Sequence, residues 1–333
     1  MSCFARRGGL HPTQAGAAIL TAMLTVTLVA TLAAAALWQQ WRSTEVEVAQ
    51  RGRVQSGWIL VGALDWARLI LREDARSGGA DHLAEPWAVP LEEARMSTFL
   101  ATDSNATDRA DDVQQAFISG QIVDMQSRLN VRNLVDNGII SPVALRQFGR
   151  LFELLGLPEA EVPRLAENLR FALDTSADNR SGALAPLMPQ RVSQLVWLGL
   201  SERSVAQLTP FVTILPQSTT VNLNTAPAEV IFASIDEPDM ALARRLVTAR
   251  ATAHFKTLAE AARLLGDVPG QIVQERHSVA TRYFEVRGKL RLDDVSVYER
   301  SLVVRDGLEV KVLWRERTAG APVARVPARV SLQ

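Results

Sequence analysis

The sequence begins with a long stretch that carries no charge. Between Arg7 and Arg42 there is no Lys, Arg, Asp or Glu, and the 22 residues from Ala17 to Trp38 are all Ala, Leu, Ile, Val, Thr, Met or Trp. A helix of about 20 apolar residues is long enough to cross the hydrocarbon core of a bilayer. A buried helix of a soluble protein would normally show a polar face, whereas this stretch has only threonines. The sequence therefore predicts a membrane-inserted segment.

Three interpretations of this segment are open. The first is a cleaved secretory signal ending near the alanines at positions 33–35, although the apolar run exceeds the 7–15 residues typical of such signals. The second is a plain single-pass anchor. The third is a prepilin-type leader, in which residues 1–16 are removed between Gly16 and Ala17 and the whole apolar helix stays on the mature chain. The third explains the most residues, because Gly16 stands at the junction between a short basic leader and the apolar run.

The helical pattern continues beyond the apolar stretch. Apolar residues recur on one face at helical spacing, namely Leu60, Leu64, Ala67 and Leu71. On the other side, Asp65 and Arg68 are spaced for an ion pair. We therefore predict one long helix, which crosses the membrane over residues 17–41 and continues outside it over residues 42–78. A helix that is half in the membrane and half packed on a globular domain is the architecture of pilins.

The remainder of the chain combines strand and helix patterns. Residues 284–292 alternate apolar and charged side chains, which predicts a half-buried strand, and residues 116–125 are a further strand candidate. Residues 302–305 and 308–314 predict a hairpin with Asp306-Gly307 as its two-residue turn. Residues 141–208 predict short helices separated by prolines.

These patterns predict an α+β fold. A pilin-like long N-terminal helix packs on a small antiparallel sheet built from residues 79–130 and 278–316. A large all-α domain, residues 131–277, is inserted into it. Residues 317–333 lack periodicity and are predicted to be a mobile tail.

Three further segments, Asp81–Ala88, Ile122–Asn130 and Val221–Pro227, follow the leader in a characteristic order. Together with the leader they resemble the general secretion pathway protein K family, the large minor pseudopilin of the type II secretion system. The resemblance covers most of the chain from Gly16 to about Trp314.

The resemblance implies a structural protein without enzymatic activity, which initiates or caps the tip of a periplasmic pseudopilus. It implies processing by prepilin peptidase, methylation of the new N-terminus, an inner-membrane anchor and a periplasmic soluble part. Its partners would be the I-type and J-type minor pseudopilins. The alternative function is a single-pass envelope-anchored binding protein unrelated to secretion.

Counted from Ala17, the fifth residue is Thr21, where most pilins carry Glu. A carboxylate at the centre of a bilayer costs about 2.5–3.5 kcal/mol on insertion scales, so it is retained for a function. In pilins this function is attributed to pairing with the terminal amine of the preceding subunit. A subunit that starts the filament has no predecessor, and Thr21 is consistent with that position. The alternative is that Thr21 is one more small residue of a membrane helix.

Residues 217–266 resemble a helix-hairpin-helix module of DNA-binding proteins. The stretch Ser234–Asp239 lacks the glycine of such hairpins and holds three acids, and the whole segment has five acidic and five basic residues. Because its charges balance, the segment has no net electrostatic attraction for phosphate, and the formal net charge of the whole chain is also zero. We expect no nucleic-acid partner. The sequence also lacks a nucleophile elbow, a His-Glu-x-x-His motif and a phosphate loop, so we expect no catalysis.

One candidate metal site is an oxygen-rich loop over residues 174–183, with Asp174, Asp178 and Asn179 as ligands. Oxygen ligands of this kind suit Ca²⁺, and the loop resembles the acidic loop of the protein K family, for which calcium binding is implied. Ser176 stands where a second Asp is expected. The alternative is a solvated polar loop, and no cofactor is required by the predicted function.

Overall fold

The computed structural model describes residues 14–95, 116–174, 185–236, 239–266, 271–292 and 295–319. The chain divides into two compact units, Met1–Trp58 and Ile59–Gln333. The first helix, α1 (Gln14–Ser77), continues through Gly52, Gly57 and Gly62 without interruption. In the first unit, the large apolar side chains for which exposure is described, from Ile19 to Trp58, are exposed.

In the second unit, α1 buries the face that the sequence predicts. The side chains of Leu60, Leu64, Ala67 and Leu71 are all buried. The predicted ion pair forms on the opposite side, where Arg68 Nη1 lies 2.8 Å from Asp65 Oδ1. The helix ends at Ser77 because two glycines with positive φ follow it, and such left-handed residues terminate helices.

The helix packs on a five-stranded antiparallel sheet. Its strands in chain order are β1 (Leu91–Arg95), β2 (Ala116–Asp124), β9 (Tyr283–Leu292), β10 (Val295–Asp306) and β11 (Glu309–Ala319). Their spatial order is β1-β2-β9-β10-β11, so strands from both ends of the soluble chain form one sheet. The core between helix and sheet includes Leu71, Trp87 and Phe284, with the two aromatic rings edge to face at 5.1 Å.

Two details of the sheet correct the sequence prediction. The hairpin loop is Gly307-Leu308 rather than Asp306-Gly307, because Asp306 still pairs with Glu309. Gly307 has a φ of 58° at the first loop position, where a type II′ turn prefers glycine. In addition, β11 extends to Ala319, so residues 317–319 belong to a paired strand instead of the predicted tail. Residues 320–333 lie outside the described part of the chain.

Between β2 and β9 the chain is mostly helical. Six α-helices are described there, α2 (Pro142–Leu154), α3 (Glu161–Leu173), α4 (Glu202–Leu208), α5 (Ala228–Ser234), α6 (Met240–Thr252) and α7 (Leu258–Leu264). Short 3₁₀ turns cover Met125–Ser127, Val131–Leu134 and Val192–Leu198, and Pro86–Ala88 forms another before β1. These helices share one hydrophobic cluster that extends from Leu129 to Leu265.

The helical region also contains strands too short to show a sequence period. They are β3 (Leu129–Asn130), β4 (Val135–Asp136), β5 (Ile139–Ile140), β6 (Val212–Thr213), β7 (Val221–Asn222) and β8 (His277–Ser278). They form three two-stranded pairs, β3 with β6, β4 with β5 and β7 with β8. The predicted boundaries of the inserted domain, residues 131–277, stay a prediction.

Candidate functional site

The predicted processing and assembly residues lie near the start of α1. Gly16, Ala17 and Thr21 all fall within the helix, and the side chain of Thr21 is exposed. Thr21 Oγ1 donates to the carbonyl oxygens of Ala17 and Ala18, at 3.1 and 3.0 Å. The hydroxyl is therefore satisfied by its own helix. The roles of these three residues in cleavage and assembly remain predictions.

The other threonines of the apolar stretch behave in the same way. Thr25, Thr27 and Thr31 each donate to a carbonyl oxygen three or four residues earlier, at 2.8 to 2.9 Å. In a bilayer every polar group must find its partner within the protein, since no water is present. This stretch can therefore lie in lipid with all its hydroxyls paired. In the described part of the chain, α1 is the one helix long and apolar enough to cross a membrane.

The candidate calcium ligands are only partly described. Asp174 follows the last residue of α3, and its side chain is exposed. Asp178 and Asn179 lie outside the described residues. The calcium site therefore stays a prediction.

A buried carboxylate that sequence reasoning missed lies at the end of β2. Asp124 is surrounded by four donors. They are the Gln126 backbone N–H at 2.7 Å, Thr281 Oγ1 at 2.6 Å, Asn222 Nδ2 at 3.0 Å and Thr225 Oγ1 at 2.5 Å. Burial raises the pKa of Asp124 to about 6, and these hydrogen bonds oppose the rise by stabilising the charged form. The carboxylate thus binds together segments that are far apart in the chain.

Asn222 extends this network. Its Nδ2 donates to the carboxylate of Asp124 and, at 3.1 Å, to the backbone oxygen of Asp81. Asp81, Asp124 and Asn222 belong to the three different segments on which the family resemblance rests. The structure brings those segments together in one buried junction between the sheet and the helical region.

Arg305 lies beside this junction and binds the carboxylates of both Asp74 and Asp81. Burial raises the pKa of Asp81, while the hydrogen bond from the Thr281 N–H and the charge of Arg305 lower it. Asp74, Asp81 and Glu85 offer oxygens within 4.8 Å of one another. Because Arg305 already supplies the positive charge between two of them, the arrangement is an ion-pair cluster that stabilises the junction.

Two histidines far apart in sequence also meet near this junction. The rings of His82 and His254 stack with their centroids 3.7 Å apart. Burial lowers the pKa of both imidazoles, which favours the neutral form of each ring in the stacked pair. Their contact joins the segment after α1 to the loop after α6.

In the helix-hairpin-helix-like segment, the acidic hairpin is bound by arginines. Asp236 accepts from Arg150 Nη2 at 3.1 Å and from Arg276 Nη1 at 2.8 Å. Its carboxylate therefore stabilises the packing of α5 against α2. The absence of a nucleic-acid partner stays a prediction.

Comparison with known proteins shows which family the chain resembles. Two family models match, over residues 127–217 and 221–280, and both describe protein K of the type II secretion system. Over these two segments the chain is similar to this family. Type II secretion system protein K of Pseudomonas aeruginosa is 28% identical over 92% of this chain and 94% of its own length. Type II secretion system protein K of Pectobacterium carotovorum is 25% identical over 91% and 96%.

The fold is also found in a solved structure. The crystal structure of the GspK-GspI-GspJ complex from enterotoxigenic Escherichia coli contains a chain that matches with a TM-score of 0.58 and 19% identity. The match covers 81% of this chain and 98% of that chain. This likeness confirms the predicted fold class.

Protein K is a structural component of the type II secretion system. The family matches confirm the resemblance predicted from the leader and the three segments, and they identify the chain as a minor pseudopilin. They give no support to the alternative of an envelope protein unrelated to secretion. The apolar first part of α1 is consistent with membrane anchoring.

Proposed function

We propose that this protein initiates or caps the tip of the periplasmic pseudopilus, with the I-type and J-type minor pseudopilins as its partners. The observation that carries the tip position is Thr21, whose hydroxyl donates within its own helix and offers no carboxylate to a preceding subunit. A subunit with no preceding subunit needs no carboxylate at this position. The complex solved from enterotoxigenic E. coli, in which GspK is bound to GspI and GspJ, supports the choice of partners.

The helical region between β2 and β9 supports a capping role. Within the residues that the structure describes, it adds six α-helices to a pilin-like body built on one long helix and one five-stranded sheet. A region of this size would obstruct a further subunit above it. The protein therefore acts through its shape and contacts, without catalysis.

The proposed topology follows from the leader. Prepilin peptidase cleaves between Gly16 and Ala17, residues 17–41 anchor the mature chain in the inner membrane, and the soluble part lies in the periplasm. The internal hydrogen bonds of Thr21, Thr25 and the other threonines suit such an anchor.

A substitution at position 21 tests the tip assignment. Thr21→Val keeps the shape of the side chain and removes only a hydrogen bond internal to the helix, so secretion and co-purification with the I-type and J-type pseudopilins should be nearly unchanged. Thr25→Val is the matched control, because Thr25 makes the same kind of bond one turn later. Thr21→Arg should impair both readouts, since it places a charge in the bilayer.

A loss of secretion in Thr21→Val at normal protein level, with Thr25→Val unaffected, would contradict the tip assignment. It would show that the hydroxyl of Thr21 has a partner outside its own helix. Failure of the unmodified chain to co-purify with either minor pseudopilin would contradict the proposed partners.

A further inference from the structure

The sheet has one face that does not pack on α1. Side chains alternate along a strand, and directly paired residues of neighbouring strands point to the same side. Because Phe284, Val286 and Leu290 are buried towards α1, the intervening residues of β9 point away from it. We call this surface the outer face, and its main residues are Phe117, Arg287, Lys289, Arg291, Tyr298 and Arg300.

The outer face carries an excess of positive charge. Arg95 lies opposite Phe117 and adds to the four cationic side chains of β9 and β10. Among the described residues, the carboxylates that pair with these five cations are Glu93 and Glu285. The excess is local, because the formal net charge of the whole chain is zero. Lys289, Arg291 and Arg300 remain accessible, with 31, 37 and 47% of their side chains exposed.

Glu285 holds two of these arginines in place. Its side chain is only 1% exposed, and its two oxygens accept from Arg287 Nε at 2.5 Å and from Arg300 Nη2 at 2.6 Å. Burial lowers the pKa of nearby Arg128, and the charge of Arg287 lowers it further. Several guanidinium groups therefore share one carboxylate, and a further anion would be stabilised beside them.

An aromatic ring fixes a third arginine. The guanidinium of Arg291 lies 4.0 Å from the ring centre of Phe117, and that of Arg95 lies 5.7 Å from it. Arginine stacks well on aromatic faces and binds carboxylates through a planar fork. Because these side chains are already held, binding would cost less conformational entropy than with free side chains.

We propose that the outer face is a docking surface for an acidic polypeptide segment. The accessible cations Lys289 and Arg291 occupy alternate positions of one strand, so their Cα atoms are roughly 7 Å apart. An extended segment repeats its side chains at the same distance, and Asp or Glu at alternate positions would meet these two cations in register. Arginine and tyrosine are also the residue types enriched in protein interfaces.

This surface is separate from the residues on which the proposed tip function rests, so failure of one leaves the other standing. The test uses the full-length chain in non-ionic detergent and a short fluorescent peptide of alternating Glu and Thr. Fluorescence anisotropy should show saturable binding that weakens with added salt. A peptide with Gln in place of Glu should not bind.

Matched double variants locate the binding surface. Lys289→Gln with Arg291→Gln should weaken binding at least about tenfold. Arg244→Gln with Arg245→Gln removes the same charge from exposed positions of α6 and should leave binding unchanged. Thermal unfolding shows whether each variant is folded, and Arg300→Gln is the substitute if the first double variant is not.

Three outcomes would overturn the proposal. They are absence of binding, equal binding of the Glu and Gln peptides, and equal weakening in both double variants. Vesicles of phosphatidylcholine with and without phosphatidylglycerol test an anionic lipid surface instead. Binding to the anionic vesicles that depends on Lys289 and Arg291, without binding of the peptide, would also overturn it.

Discussion

Two buried titratable groups, Asp124 and His277, should give the stability of this protein opposite dependences on pH. Burial raises the pKa of Asp124 from an ordinary value of 3.8 to about 6, against the effect of its four hydrogen bonds. Burial lowers the pKa of His277 from 6.5 to about 4, and the charge of Arg276 adds to this. The imidazole of His277 is buried, with Nε2 3.1 Å from Ser234 Oγ.

The sign of each effect follows from which state binds the proton more tightly. Between pH 3.8 and about 6 the folded state retains the proton of Asp124 longer than the unfolded state, so the free energy of unfolding falls as pH rises. Between pH 4 and 6.5 the unfolded state protonates His277 more readily, so the free energy of unfolding rises with pH. One pKa unit corresponds to about 1.36 kcal/mol, so each contribution amounts to about 3 kcal/mol. In the unmodified protein the two largely cancel.

Single substitutions should separate the contributions of Asp124 and His277 to the pH dependence of the unfolding free energy. Relative to the unmodified chain, the unfolding free energy of Asp124→Asn should increase by about 3 kcal/mol as pH rises through this window, while that of His277→Gln should decrease by a similar amount. Any constant loss of hydrogen bonding shifts a whole curve and leaves its slope unchanged. The assay is urea unfolding of the full-length chain in non-ionic detergent, followed by tryptophan fluorescence at a series of pH values.

The reasoning would be refuted if both variants followed the pH dependence of the unmodified protein. Slopes of the same sign for the two variants would also contradict it, because the two shifts are opposite in direction.

Three further predictions concern packing, maturation and metal binding. Leu71 is fully buried whereas Leu69 on the same helix is 45% exposed. Leu71→Ala should therefore lower the unfolding free energy by about 3 kcal/mol in urea titrations, and Leu69→Ala by less than about 0.5 kcal/mol. Gly16→Phe should prevent removal of the leader, and mass spectrometry showing normal cleavage would refute the site. Millimolar Ca²⁺ should raise the melting temperature slightly, an effect lost in Asp174→Ala, and identical curves with calcium and chelator would refute the calcium site.

The elements that repeat a clear period could be predicted from the sequence. The buried face of α1 follows from the spacing of Leu60, Leu64 and Leu71, and the sheet strand β9 follows from its alternation. The two-residue strands could not be predicted, since two residues show no period. The loop of the final hairpin was misplaced by one residue, because Asp-Gly is the stronger turn signal and Gly307 occupies the first loop position instead.

The buried junction was beyond local sequence reasoning for a different reason. The hydrogen bonds of Asp124 reach Asn222 and Thr281, which are 98 and 157 residues away in the chain. No periodicity marks such partners. Likewise, Glu285 occupies a charged position of an alternating strand, a pattern that indicates solvent, yet it is buried because Arg287 and Arg300 bind it.

The mass of the mature protein, isolated from the inner membrane and analysed at its N-terminus, tests the central claim most directly. A minor pseudopilin matured by prepilin peptidase should begin at Ala17, with a methylated amine and the complete apolar helix that follows. A chain that retains Met1, or one that begins near Ala36 after loss of most of the apolar stretch, would contradict the account.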